Sequence, residues 1–276
     1  MANMESVLGK PEFPRSGHYD PDWVLDNQMG PSALWLTEWL AESLPLSTGM
    51  RVLDLGCGRA LSSIFLAREF GVRVWAADLW ISPNHNWRRA GEADAGELVC
   101  PLRAEAHALP FARGFFDAIV SVDAYQYFGT DALYLGYLAG FVRPGGTIGV
   151  VVPALMQPFE DGVPEHLTRL QGSGKRFWED ECWSFQTAEW WRGLWERSHA
   201  VTGVRSDTLP EGWRHWRDFE KALELSGKGV FPSDAEALEW DQGRYLGFVR
   251  IVGTRSDAEG TDLYDPAIGV RVGVDT

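Results

Sequence analysis

A glycine-rich turn, Gly56-Cys57-Gly58, joins an apolar stretch fit for a buried strand (51–55) to one with the apolar spacing of a helix. Glycines at such a turn let the backbone approach a small molecule without side-chain collision. A dinucleotide site would show a third glycine, but Leu61 stands at that position. Asp54, two residues before the first glycine, would repel a diphosphate and suits a cation instead. These residues predict a site for a phosphate-free, positively charged small molecule.

S-adenosylmethionine fits this description, because it carries an ammonium and a sulfonium and has no phosphate. Asp54 would anchor its amino-acid end, directly or through water, with residues 56–58 against it. Asp78, about twenty residues after the turn, would accept hydrogen bonds from two ribose hydroxyls, and Leu79 would lie against the adenine face. NAD has the same ribose, so Asp78 does not distinguish the two cofactors.

Four ordered motifs resemble those of class I S-adenosylmethionine-dependent methyltransferases, especially bacterial small-molecule enzymes similar to the ubiquinone/menaquinone-biosynthesis and cyclopropane-synthase-like ones. They are VLDLGCG (52–58), WAADLW (75–80), AEAHALPFARGFFDAIVS (104–121) and FVRPGGTIGVVVP (141–153). The resemblance implies S-adenosylmethionine as cofactor and S-adenosylhomocysteine as product. It also implies that Glu105, where relatives often carry Asp, receives the adenine amino group, and that the backbone N–H of Ala106 meets the ring.

Strand and helix patterns predict an α/β fold. Candidate strands at 51–55, 73–77, 98–103, 116–122 and 147–152 alternate with helical stretches at 59–70, within 83–96 and at 131–142, which is typical of a parallel sheet. A further helix is expected from Pro31 towards Pro45, another around 213–225, and late strands at 201–209 and 244–252. The resemblance implies a Rossmann-like three-layer sandwich, whose seven-stranded, mostly parallel sheet has the order 3-2-1-4-5-7-6 with strand 7 antiparallel.

We expect one domain with additions. Its parts are an irregular N-terminal arm or lid (1–30), a cofactor-binding half (31–153), a helical insertion that caps the acceptor (154–199), the final strands and helix (200–253) and a tail (254–276).

Asp123 follows the fourth predicted strand, where ligands of open parallel sheets bind. It would hold the donor's ammonium, orient the acceptor or act as a base; the alternative is a helix cap. Tyr125 and Tyr127 are candidates for the acceptor pocket or for core packing, and Trp80 for the rim of the cofactor site. Gln126 stands where many relatives carry His, so a family base is absent at that position.

The N-terminal arm carries further candidates, since in relatives it folds over the cofactor. His18 is a candidate base or a plain surface histidine, and Tyr19 a candidate substrate contact. Met29-Gly30 would approach the donor's methionine end or form a simple turn. A tryptophan-rich segment would build an aromatic acceptor pocket or a cage for an ammonium substrate, or else pack in the core. We expect core packing for most of its tryptophans, with one or two reaching the pocket; they are Trp178, Trp183, Trp190, Trp191, Trp195, Trp213 and Trp216.

Composition narrows the function classes. A net charge of −14 disfavours nucleic acid as a partner, and no His or Cys spacing suggests a metal. Three scattered cysteines, no signal peptide and no long apolar run predict a soluble, cytoplasmic protein without a membrane partner. The sequence therefore predicts methyl transfer to a small-molecule substrate through an O, N or C nucleophile. The alternatives are an NAD-linked oxidoreductase and a non-catalytic cofactor binder, and the oligomeric state is open.

Overall fold

The computed structural model describes residues 8–257, which form a seven-stranded sheet with helices on both faces. The strands are β1 (Arg51–Leu55), β2 (Arg73–Asp78), β3 (Val99–Arg103), β4 (Phe116–Val122), β5 (Val142–Leu155), β6 (Val201–Thr208) and β7 (Leu246–Arg255). They lie in the order β3-β2-β1-β4-β5-β7-β6. β7 is antiparallel to β5 and β6, and the other neighbouring pairs are parallel. The predicted fold class and strand order are confirmed.

Helices fill the connections between the strands. Within the described residues they are α1 (Pro21–Asn27), α2 (Ala33–Ala41), α3 (Leu61–Phe70), α4 (Pro83–Glu92), α5 (Tyr134–Ala139), α6 (Glu165–Thr168), α7 (Ala188–Arg197), α8 (Gly212–Ser226) and α9 (Ala235–Asp241). Short 3-10 turns lie at Ser16–His18, Tyr125–Tyr127 and Asp180–Ser184.

The central strands are buried on both faces, which explains their continuous apolar runs. Val52 of β1 belongs to a core cluster with Phe65 of α3, whereas its neighbour Leu53 belongs to a second cluster with Trp191 and Trp195 of α7. All five side chains are fully buried. The expectation of core packing is thus confirmed for these two tryptophans, and each buried large apolar side chain stabilises the fold by roughly 1.5–3 kcal/mol.

The sheet brings three strand ends together. β1 pairs in parallel with β2 on one side and with β4 on the other, with Leu55 beside Ala77 and Asp54 beside Val120. The carboxyl ends of all three strands therefore lie at one edge, where open parallel sheets bind their ligands.

The N-terminal arm is more regular than predicted. Its Asp-Pro signal, interpreted as a turn, starts helix α1: the Asp20 side chain accepts a hydrogen bond from the Trp23 N–H at 2.9 Å, and Pro21 occupies the first helical position. Such a cap satisfies a donor that the helix itself leaves free. The expectation of an irregular arm was wrong for this stretch.

The structure differs from the prediction at the start of β5 and at helix α9. β5 begins at Val142 rather than at residue 147, because its pairing with β4 shifts register between Phe116 and Ala118 and the Pro-Gly-Gly turn becomes part of the strand. Helix α9 was not predicted, since its stretch carries only a short apolar pattern. The predicted tail, 254–276, contains the end of β7 at Arg255, and residues 258–276 lie outside the described residues, as do residues 1–7 of the arm.

Candidate functional site

A cavity of about 520 Å³ opens at the carboxyl ends of β1, β2 and β4. One part of its lining consists of the glycine-rich turn and the residues after β2 and β3. The opposite part consists of Asp123, the loop at 175–185, helix α8 and the segment before α9. Most of the predicted site residues line this cavity.

The backbone of the glycine-rich turn lies close to Ala124 and Met29. Gly56 has φ +76°, and a Cβ there would lie 2.4 Å from the Cβ of Ala124. Gly58 has φ +51° and packs against Met29 of the arm. Both positions favour glycine because L side chains rarely adopt such angles. Cys57, also in the lining, is buried, and burial raises the pKa of its thiol well above the usual range.

Asp78 fixes the turn from the end of β2. Its Oδ2 accepts a hydrogen bond from the Gly58 N–H at 2.8 Å, and its Oδ1 accepts from the Trp80 and Ile81 N–H groups at 2.8 and 2.9 Å. The carboxylate lines the cavity while holding two loops. A carboxylate has about four acceptor sites, so Asp78 retains acceptor capacity for a ligand hydroxyl.

Asp54 lies behind the cavity rather than in its lining. Its Oδ2 accepts hydrogen bonds from the Ser62 and Ser63 hydroxyls, both at 2.6 Å, at the start of α3. Its Oδ1 is buried and has no hydrogen-bond donor among residues 8–257. Burial raises the pKa of Asp54 to about 6, against the opposing serine bonds. The structure thus gives Asp54 no direct opening to a ligand, although Ser62 does line the cavity.

Met29 and Gly30 connect the N-terminal arm to the cavity: Met29 packs against Gly58 of the turn, and Gly30 lies against Asp123. Gly30 has φ +93°, and a Cβ there would lie 2.3 Å from Asp123 Oδ2. The arm therefore contributes to the cavity through these two residues.

Asp123 occupies a strained position directly after β4. Its φ is +55°, a rare value for a non-glycine residue. Gln126 donates from Nε2 to Asp123 Oδ1 at 3.3 Å, and Asp123 Oδ2 has no hydrogen-bond donor in the described part of the chain. Burial, with a smaller contribution from the negative charge of Glu220, raises the pKa of Asp123 to about 7. Strain and an elevated pKa at the end of a central strand are typical of functional carboxyls.

The adenine-side candidates also line the cavity. Glu105 pairs with His107, whose Nδ1 lies 2.8 Å from Glu105 Oε1, and Ala106 follows in the lining. Leu79 and Trp80 extend the wall after β2, and Trp80 is 68% exposed. Its large exposed ring at the mouth provides apolar surface for a planar ligand.

Two candidates of the N-terminal arm, His18 and Tyr19, lie away from this cavity. His18 and Tyr19 line a separate cavity of about 390 Å³ next to Trp35, and the Tyr19 hydroxyl donates to Glu69 at 3.2 Å. The 3-10 turn at Ser16–His18 holds both residues on that side. The roles predicted for them, as base and substrate contact, are therefore corrected.

Tyr125 and Tyr127 separate as well. Tyr125 is fully buried, with its ring centre 5.7 Å from that of Trp191 and 5.9 Å from that of Trp195, so it belongs to the core rather than the acceptor pocket. Tyr127 lines the cavity and is 64% exposed.

Several lining residues were not predicted from sequence. Glu220 of α8 and Asp234 just before α9 are two of them. Trp216, one helical turn before Glu220, also faces the cavity and is one of the tryptophans of which one or two were expected to reach the pocket. The signal for α8 was its amphipathic spacing, which indicates the buried face but not what that face adjoins. The loop residues Lys175, Phe177, Glu179, Glu181 and Phe185 carry no local signal of their position.

The described residues contain neither a membrane-spanning helix nor a metal-binding cluster. No helix within 8–257 is long and apolar enough to cross a bilayer. No group of three or more His, Cys, Asp or Glu side chains there is arranged to hold a metal ion.

Comparisons with known proteins agree with this geometry. Residues 52–146 match the family described as "Methyltransferase domain". The chain is 35% identical over 106 residues to 2-methyl-6-phytyl-1,4-hydroquinone methyltransferase of Synechocystis sp., a match that covers 38% of this chain and 32% of that protein. It is 30% identical over 143 residues to 27-O-demethylrifamycin SV methyltransferase of Amycolatopsis mediterranei, covering 51% of this chain and 52% of the relative. The chain thus spans about a third and about half of these relatives' lengths.

A solved structure extends the likeness in fold. Geranyl diphosphate C-methyltransferase from Streptomyces coelicolor A3(2), in complex with Mg²⁺, geranyl diphosphate and S-adenosyl-L-homocysteine, matches with a TM-score of 0.62 at 17% identity. The match covers 91% of this chain and 87% of that one. Domain match, strand order and the glycine-rich turn agree with one another: residues 52–146 match a methyltransferase domain, and the sheet has the strand order that the resemblance to class I S-adenosylmethionine-dependent methyltransferases implies.

Proposed function

We propose that the protein transfers a methyl group from S-adenosylmethionine to a small-molecule acceptor. The observation that carries this proposal is a single cavity that runs from the Gly56–Gly58 turn past Asp123 to the loop at 175–185. The turn end suits the cofactor, and the space beyond Asp123 suits an acceptor. Because segment 154–199 contributes that loop, it would act as the acceptor cap, with Met29 and Gly30 closing the cofactor end.

The residues present fit S-adenosylmethionine. Gly56 and Gly58 carry no side chain where a Cβ would contact Ala124 or Met29, and the buried carboxyl of Asp54 lies behind the turn with its Oδ1 lacking a hydrogen-bond donor among residues 8–257. Both features favour a cationic ligand without phosphate. When bound, this cofactor supplies a methyl group on a positively charged sulfur, which a nucleophile displaces in line.

The chain's own residues would hold and orient the reactants. Asp78 would accept from the ribose hydroxyls, and Glu105 with the Ala106 N–H would meet the adenine. Leu79 and Trp80 would shield the ring from water. Asp123, with Gly30 against it, would lie at the methionine end, where it holds the ammonium, orients the acceptor or takes its proton.

The same geometry argues against an NAD-linked oxidoreductase. In dinucleotide sites the diphosphate lies at the start of the helix that follows the turn. Here the Ser62 and Ser63 hydroxyls at the start of α3 turn inward to Asp54, so a carboxylate lies directly behind that position. It would repel the diphosphate.

Calorimetric titration with S-adenosylhomocysteine tests the proposal. We expect saturable one-to-one binding, and no comparable binding of NAD under the same conditions. Incubation with S-adenosylmethionine and a panel of small nucleophiles should then release S-adenosylhomocysteine. Failure to bind either adenosyl compound would refute the proposal, whereas binding without turnover on any acceptor would favour a non-catalytic binder.

A further inference from the structure

The acceptor end of the cavity is strongly acidic. Seven cavity-lining residues carry carboxylates, and two, Arg59 and Lys175, carry permanent positive charges. Arg59 donates to the backbone oxygens of Asp26 and Gln28 in the arm. Lys175 pairs with Glu179 at 3.6 Å. Arg59 is therefore engaged away from the remaining carboxylates, whereas the charge of Lys175, besides its pair with Glu179, also acts on Asp234, whose pKa it lowers against the larger opposing effect of burial.

Four carboxylates beyond the cofactor turn have no ion-pair partner among residues 8–257. They are Asp123, Glu181, Glu220 and Asp234. Three of them line the same cavity and interact through their charges: the charge of Glu220 raises the pKa of Asp123, and the charge of Asp234 raises the pKa of Glu220. Grouped, partly buried like charges destabilise a protein unless a cation joins them.

Aromatic rings form the neighbouring wall. Phe177 lies edge-on to Trp216 with ring centres 5.7 Å apart, and to Phe185 at 6.2 Å. Trp216 lies one helical turn before Glu220 on α8, so one helix presents both an indole ring and a carboxylate to the same space. Aromatic faces attract cations through their quadrupole, most strongly where water is excluded.

From this arrangement we infer that the methyl acceptor is a small organic cation, an amine that binds as its ammonium between Glu220, Asp123 and the Trp216 wall. The bound ammonium gives one proton to the Asp123 carboxylate, and the electron pair freed on nitrogen then forms the N–CH3 bond as the bond from that methyl to sulfur breaks and S-adenosylhomocysteine leaves. The inference rests on the proposed function and names its substrate class. Above about pH 7, where Asp123 and Glu220 are ionised, an anionic acceptor such as a carboxylate or a phosphate ester would meet four carboxylates that have no ion-pair partner among residues 8–257, and a neutral alcohol would leave them without a counter-charge. The acid groups thus select by charge, and the rings accommodate the apolar part.

Matched probes of one shape and three charges test this inference. The protein is first saturated with S-adenosylhomocysteine and then titrated with 2-phenylethylamine, 2-phenylethanol and phenylacetate at about pH 8, where the carboxylates are ionised. The triplet n-butylamine, 1-butanol and butyrate repeats the comparison at smaller size. We expect each amine to bind about tenfold or more tightly than its alcohol, and the carboxylates to bind least.

Variants inside and outside the cavity test whether its carboxylates cause the preference for amines over alcohols. Glu220→Gln should weaken amine binding about tenfold and leave alcohol binding unchanged. Glu196→Gln, an identical change at an exposed position of α7 outside the cavity, should leave both unchanged. Should Glu220→Gln fold poorly, Asp234→Asn provides the same test.

The outcomes separate the two proposals. No binding of S-adenosylhomocysteine would count against methyl transfer itself. If S-adenosylhomocysteine binds but the alcohols or carboxylates bind as tightly as the amines, or no amine binds, the amine inference is overturned and methyl transfer stands.

Discussion

Gly30 of the N-terminal arm lies directly against Asp123 of the sheet: a Cβ on Gly30 would be 2.3 Å from Asp123 Oδ2. Both residues have positive φ, +93° and +55°. An arm segment and a strand end thus meet at the one point where cofactor and acceptor would face each other. Because glycine has no Cβ, the Asp123 carboxylate can lie directly against the backbone of residue 30.

Gly30→Ala is therefore expected to disturb the cofactor site. The added methyl collides with the carboxylate, and the positive φ strains any L residue. S-adenosylhomocysteine affinity measured by calorimetry should fall about tenfold or more. Gly17→Ala is the matched control, since a Cβ at Gly17 meets nothing within 4 Å and φ there is not positive. Equal affinities for the two variants would contradict the arm's role.

Asp78→Ala should weaken cofactor binding for two reasons. It removes the proposed acceptor of the ribose hydroxyls, and it releases the Gly58, Trp80 and Ile81 N–H groups that shape the turn. Each charge-assisted hydrogen bond contributes on the order of 1.5–3 kcal/mol, so the dissociation constant should rise at least about tenfold.

A control variant tests whether the loss of any acidic residue, rather than of Asp78 in particular, weakens cofactor binding. Glu92→Ala removes an exposed acid near the end of α4, away from the cavity, and should leave the dissociation constant unchanged. An unaltered constant for Asp78→Ala would mean that the ribose lies elsewhere.

Local sequence patterns predicted the site residues that lie at or directly after the carboxyl ends of strands. The bounds of β1 and β4 were predicted from their apolar runs, and the positions of Gly56, Asp78 and Asp123 follow from them. Strand ends are adjacent in any parallel sheet of this order, so spacing along the chain carries the information. The order itself came from resemblance rather than from periodicity.

The acceptor end could not be predicted in this way. Helix α8 was expected, but whether Glu220 faces solvent or a cavity depends on how α8 and the loop at 175–185 pack. His18 illustrates the opposite error: its type suits base catalysis, yet the 3-10 turn at Ser16–His18 directs it to another cavity. Long-range packing decided both cases, and local sequence does not encode it.

Amine binding should depend on pH with a definite sign. In the free protein burial raises the pKa of Asp123 and of Glu220 to about 7, so both are largely protonated below that pH. A bound ammonium favours their ionised forms and lowers both pKa values. Binding should therefore release protons near pH 7 and weaken as the pH falls below about 7. The amine, with a pKa of about 10, stays charged throughout.

Calorimetry in two buffers of different ionisation enthalpy measures this proton release directly. Titration of 2-phenylethylamine near neutral pH should give buffer-dependent heats, and Glu220→Gln should reduce that dependence. The binding heat of the neutral control, 2-phenylethanol, should depend little on the buffer. Amine affinity that stays constant between about pH 6 and pH 8 would contradict the linkage.

Glu220→Gln should stabilise the ligand-free protein at neutral and alkaline pH. Burial, aided by the negative charge of Asp234, raises the pKa of Glu220 from 4.5 to about 7 on folding. Below about pH 4.5 both the folded and the unfolded states are protonated, so the carboxyl has no net effect on stability. As pH rises from about 4.5 to 7 the unfolded chain ionises first, and the wild-type free energy of unfolding falls; above about 7 the penalty is constant.

The neutral amide removes that penalty. With allowance for the partial exposure of Glu220, the free energy of unfolding of Glu220→Gln should exceed that of wild type by roughly 1–2 kcal/mol at about pH 8 and by almost nothing at about pH 4.5. Denaturant unfolding at both pH values measures the difference, with Glu196→Gln at an exposed position of α7 as the control. A variant that is less stable than wild type at the higher pH would indicate that the Glu220 carboxylate is held by favourable contacts, and that the cavity does not need a cation to balance it.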